Sequence, residues 1–139
     1  MSEWFPVNVG LRQGCVMTPW LFNVHMDGVV REVNVRVLGK GLELLSANGS
    51  RFEINQLLFT DDTALVADSE EKLYRLVSEF GRVCERRKLE VNVGKSKVMR
   101  CSRYGNGDRM HAILNGEPLE EVDCFKCLGS HGADDGGCE

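Results

Sequence analysis

The sequence predicts an α+β fold, a mainly antiparallel sheet with two helices packed on one face. Three observations point to it. Apolar residues recur at helical spacing in two stretches, short runs of alternating apolar and polar residues lie between and after them, and Asn-Gly pairs punctuate those runs. A chain of 139 residues is one domain's worth, with 42% hydrophobic and 27% charged residues, as in ordinary globular proteins. No apolar stretch approaches the ~20 residues of a membrane span, and the N-terminus carries no signal-peptide pattern. These features predict an intracellular protein that meets no membrane.

Taken in order, residues 1–9 read as extended through Trp4, Phe5, Val7 and Val9, and Gly10 ends them. Arg12-Gln13-Gly14-Cys15 is a polar turn. Thr18 suits an N-cap with Pro19 at the first helical position. Leu21, Phe22, Val24, His25, Met26 and Val29 then predict a helix over about 18–33 with one apolar stripe, packed beneath the sheet. From 41 to 67 the pattern is β. Leu42, Leu44 and Leu45 lead to the Asn48-Gly49 turn, Phe52 and Ile54 alternate with polar residues, and a further strand ends near Ala67. Asp68 or Ser69 caps a second helix, with Glu70 and Glu71 in its first turn and a core stripe of Leu73, Leu76, Val77, Phe80, Val83 and Cys84. Arg86-Arg87-Lys88 close it, where the helix dipole favours cations. Val91 and Val93 predict a short strand, Val98 and Met99 another, and Asn115-Gly116 a hairpin whose return strand holds Leu119, Val122 and Phe125. The domain spans 1–130, and 131–139 is a Gly- and Asp-rich tail expected to fray.

The chemistry concentrates at Asp61 and Asp62. They stand between two apolar runs, Leu57-Leu58-Phe59-Thr60 and Ala64-Leu65-Val66-Ala67. Two anions beside an apolar core are costly unless something cationic compensates. The arrangement reads as a hairpin with carboxylates at its tip, suited to a divalent ion through hard oxygen ligands, or else as a solvated turn. The net charge of −4 hides an asymmetry, because residues 82–109 carry nine Lys and Arg against three acids. That segment is a candidate phosphate-binding surface or a solvated helix face. The six cysteines read as reduced thiols. The spacing Cys124-x2-Cys127-x3-His131-x6-Cys138 has the ligand types of a zinc knuckle, although Phe125 and Leu128 read as strand packing residues.

Four segments line up in sequence. They are Gly10-Leu11-Arg12-Gln13-Gly14-Cys15 leading into Pro19-Trp20-Leu21-Phe22-Asn23, Phe59-Thr60-Asp61-Asp62, Leu89-Glu90-Val91-Asn92-Val93-Gly94-Lys95-Ser96-Lys97, and Phe125-Lys126-Cys127-Leu128-Gly129-Ser130. Together they resemble the palm of a reverse transcriptase of the non-LTR (LINE-type) retrotransposon kind, over nearly the whole chain. The resemblance implies an RNA-directed DNA polymerase that transfers dNTPs to a DNA primer on an RNA template. It would use two Mg2+ or Mn2+ ions held roughly 3.5–4 Å apart. It makes Asp61 the main metal ligand of the hairpin and Asp62 its supporting neighbour, both catalytic. Arg12, Gln13 and Gly14 would lie at the incoming nucleotide, and Lys95 or Lys97 would contact the triphosphate, with Lys97 the preferred proton donor to pyrophosphate. Leu128-Gly129 match the primer-grip turn.

The sequence departs from the family pattern in four ways. Thr60 stands where alanine is usual, and Cys127 where an aromatic residue is usual. The family's other metal-binding aspartate, upstream of Gln13-Gly14, has no counterpart in residues 1–11, whose only acid is Glu3. Fingers and thumb are also absent. The expectation is a palm fragment that does not polymerise alone, with an open strand edge beside the acidic hairpin. The alternative is a non-catalytic nucleic-acid-binding remnant using residues 82–109.

Overall fold

Two helices build the main core. Helix α1 spans Thr18–Arg36 and helix α2 spans Glu70–Arg86 in the computed structural model, which describes residues 10, 14–39, 41–59, 61–101, 110–127 and 130–133. Val29, Val33 and Val37 from α1 and its C-cap meet Leu76, Phe80, Val83 and Cys84 of α2 in one buried cluster, with Leu65, Leu89 and Val91 packed against it. A β-branched side chain in a helix keeps essentially one rotamer, so the valine side of this interface is stiff. The predicted stripe of α2 is buried as expected, except that Leu73 serves a second, smaller cluster of Val98, Met110, Ala112 and Leu119.

Helix ends follow local chemistry with one shift. Ser69 caps α2, its hydroxyl accepting the Lys72 N–H at 3.4 Å, while the Asp68 carboxylate holds the Lys72 ammonium at 2.7 Å. Helix α1 begins one residue earlier than predicted, with Met17 as N-cap and no side-chain cap bond. Proline fits anywhere in the first turn, whose N–H groups have no intrahelical partner, so Pro19 does not pin the start. The single apolar stripe expected for α1 is also corrected. Met26, Val29 and Val33 are buried, whereas Trp20, Leu21 and Val24 lie exposed on the opposite side.

The strands form five two-stranded pairs among the described residues. Strands β1 (Leu42–Leu45) and β2 (Arg51–Ile54) pair antiparallel around Asn48-Gly49, and β3 (Gln56–Phe59) pairs antiparallel with β4 (Asp62–Leu65). Strand β5 (Lys97–Val98) runs parallel to β8 (Glu120–Glu121), and β6 (Ile113–Leu114) and β7 (Glu117–Pro118) close the second predicted hairpin, whose return strand stops at Pro118 and does not hold Leu119, Val122 or Phe125. Its turn residues Asn115 and Gly116 have φ of 52° and 85°, the left-handed pair that a tight two-residue turn requires. Helix α2 packs against β4 and β6. The α+β class with mostly antiparallel pairing therefore holds.

Two local predictions fail. Residues 93–95 form a 3-10 turn rather than a strand with Val91. The Asn92 side chain accepts the Lys95 N–H at 3.1 Å and so offers the backbone an alternative to a ladder. At the C-terminal end, Ser130–Ala133 form β10, antiparallel to β9 (Cys124–Cys127), where fraying was expected from 131 onward. Residues 134–139 and the extended segment predicted at 1–9 lie outside the described residues. No helix among the described residues is long and apolar enough to cross a membrane.

Candidate active site

The acidic pair sits at the end of the β3–β4 hairpin. Phe59 is in register with Asp62, which places Asp61 in the turn and Asp62 at the first position of β4. Both residues are exposed. The hairpin is anchored at its other end, where the Gln56 amide donates to Asn34 Oδ1 at 2.8 Å and the Val66 N–H donates to the Asn55 carbonyl at 3.0 Å. Leu65, near the base of β4, packs on the helix core. A fixed base and an exposed tip place both carboxylates at the surface beside an apolar strand pair, which meets the desolvation problem posed by the sequence.

Adjacent carboxylates of this kind suit a hard cation such as Mg2+ or Mn2+. Among the described residues, however, no group of three or more His, Cys, Asp or Glu converges to enclose an ion. The described residues thus bring two adjacent carboxylates together at the hairpin tip and no third metal-ligating side chain beside them. Of the Cys124, Cys127, His131 and Cys138 set, only the side chain of Cys124 lies among the described residues.

The other predicted residues are distributed as follows. Gly14 precedes α1, is exposed, and has φ +85° with open space where a Cβ would stand, so backbone conformation alone accounts for glycine there. Arg12, Gln13, Leu128 and Gly129 lie outside the described residues. Lys95 ends the 3-10 turn and makes no ion pair among the described residues. Lys97 lies on β5, where its ammonium is held by the Glu120 carboxylate of β8. That partner had no signal in the sequence, since only the parallel pairing of β5 with β8 brings the two together.

Part of the basic segment is matched by carboxylates of the same fold. Arg82 pairs with Glu79 at 2.7 Å, Arg87 with Glu32 at 3.0 Å and Arg100 with Glu70 at 3.4 Å, and Arg86 also lies against Glu32. Partial burial by itself would raise the Glu32 pKa. The Arg87 hydrogen bond and the charges of Arg86, Arg87 and Arg36 outweigh that and hold the carboxyl below its ordinary range. Sequence reading attributed Arg86 and Arg87 to the helix dipole. Their main partner, Glu32, is on the other helix.

No solved structure matches the chain. Over residues 1–131 it matches the family model described as reverse transcriptase (RNA-dependent DNA polymerase), which covers the acidic hairpin, both helices and the basic strand-loop. The chain therefore belongs to the reverse transcriptase family.

Proposed function

We propose that the chain is the palm portion of a non-LTR (LINE-type) retrotransposon reverse transcriptase, and that Asp61 and Asp62 are its metal-binding catalytic carboxylates. The observation that supports this most is the exposed Asp61-Asp62 pair held at the tip of a base-anchored hairpin. A divalent ion bound there would supply Lewis acidity toward phosphate oxygens. The two carboxylates provide adjacent anionic oxygens at the surface, open to a nucleotide and its primer. Arg12, Gln13 and Gly14 would meet the incoming dNTP and template, and Leu128-Gly129 the primer end. Between the two lysines, Lys95 is the better candidate for the triphosphate, because Lys97 must first leave Glu120. The partners in this reading are an RNA template, a DNA primer and dNTPs.

A second part of the reading is that this chain alone does not incorporate nucleotides; in its support, no third metal-ligating side chain joins Asp61 and Asp62 among the described residues. Primer extension on a primed RNA template with Mg2+ or Mn2+ tests it against the Asp61→Asn/Asp62→Asn variant. Neither chain should extend the primer, and extension by the unaltered chain would refute the incompleteness. The ligand role has its own test in Mn2+ titration followed by water proton relaxation. Weak Mn2+ binding should be lost in the double variant, and unchanged binding would refute the assignment of the pair. The nucleic-acid-binding alternative has less support, because Arg82, Arg86, Arg87, Lys97 and Arg100 are already matched by carboxylates of the same chain.

A further inference from the structure

Helix α1 carries a second apolar stripe on the side away from the core. Met17, Trp20, Leu21 and Val24 lie at helical spacing on its outer face and flank at the N-terminal end, and Val35 and Leu38 at the C-terminal end. They are 48% to 76% exposed. Val29 and Val33, which are fully buried against α2, lie on the opposite side. At these exposures the six side chains present roughly 700 Å² of apolar surface, close to the ~800 Å² that each partner contributes to a standard interface. The six fall into two apolar patches, Met17 to Val24 and Val35 with Leu38, and exposed apolar patches of this kind on a folded protein mark an interaction face.

The stripe is interrupted at its middle by one ion pair, Arg31 Nε to Asp27 Oδ2 at 2.8 Å, whose side chains are exposed. This order, apolar, acidic, basic, apolar, is self-complementary when reversed. An antiparallel second helix centred near Val29 sets Asp27 opposite the second copy's Arg31, Val24 opposite its Val35, and Trp20 and Leu21 opposite its Leu38. All of these pairs share one register. The two-fold relation satisfies each contact twice, as an isologous interface requires, and the alternating charges at the crossing attract. We infer that the outer face of α1 is a homodimer interface in which two copies of this chain pack α1 against α1, antiparallel.

Sedimentation velocity of the full chain over a concentration series tests the inference, with Val24→Glu, Asp27→Arg and the swapped Asp27→Arg/Arg31→Asp variants. The unaltered chain should sediment as a dimer. Val24→Glu and Asp27→Arg should each weaken association by about tenfold or more, and the swap should restore it, because it recreates both cross-pairs. Circular dichroism confirms that each variant keeps its helices, which exposed positions permit. A monomeric unaltered chain would overturn the inference, as would association that the variants leave unchanged or that grows beyond the dimer. Failure of the swap to rescue Asp27→Arg would overturn the antiparallel register.

Discussion

Leu76→Ala tests the helix interface that positions the acidic hairpin. Leu76 is fully buried between the α1 valines and the rest of α2. Removing three side-chain carbons loses about 2–2.5 kcal/mol of transfer free energy. The cavity left behind adds to this unless neighbours collapse into it. Collapse is restricted here, because Val29, Val33 and Val37 line the site and β-branched residues cannot swing into the hole without leaving their one helical rotamer. The expected loss is therefore about 3–4 kcal/mol, in the middle of the range for buried Leu→Ala. Domains are stable by only about 5–15 kcal/mol, so this variant should be close to unfolding at 37 °C. Urea denaturation followed by circular dichroism measures it, with a lowered midpoint and an unchanged slope. A loss below about 1 kcal/mol at unchanged slope would refute the close-packed interface from which the figure is derived.

Two further predictions concern titratable groups. Glu32 has its pKa depressed in the fold by Arg87, Arg86 and Arg36 against the opposing effect of burial, so its stabilisation is present above the unfolded carboxylate value and lost as pH falls through the folded one. Glu32→Gln should lower Tm at neutral pH, and its difference from the unaltered chain should shrink toward zero below about pH 4; a difference independent of pH would contradict the ion-pair account. The exposed Cys15 thiol is lowered by a hydrogen bond from the Met17 N–H, whereas burial pushes Cys84 up to about 11. Alkylation near neutral pH, mapped by mass spectrometry, should label Cys15 early and Cys84 only on unfolding; early labelling of Cys84 would show that the helix interface opens in the native state.

Much of the fold was legible because its signals are local. The Asn48-Gly49 and Asn115-Gly116 turns, the Ser69 cap and the apolar spacing of α2 each depend on residues within a few positions of one another, and each forms as read. The acidic hairpin was legible for the same reason, since two apolar runs flanking Asp61-Asp62 have few other ways to bury themselves while leaving the charges in water. The misread segments are those where a local pattern had two readings. Val91 and Val93 alternate as in a strand, but Asn92 between them can bond the backbone and closes a 3-10 turn instead.

By itself the sequence determined the α+β class, the order of helices and hairpins, the acidic tip and the family resemblance, because these follow from spacing and residue chemistry along the chain. Only the tertiary structure decided which charges meet and which apolar faces stay open. Glu32 gathers arginines from both helices, Glu120 takes Lys97 through a parallel strand pair, and α1 divides its apolar residues between a buried side and an exposed one. Lys97 and Glu120 are separated by 23 positions, and Arg87 and Glu32 by 55. Periodicity records how a segment is amphipathic and not what lies across from it. A helix with apolar residues on two opposite sides carries no mark of which side its neighbour will cover.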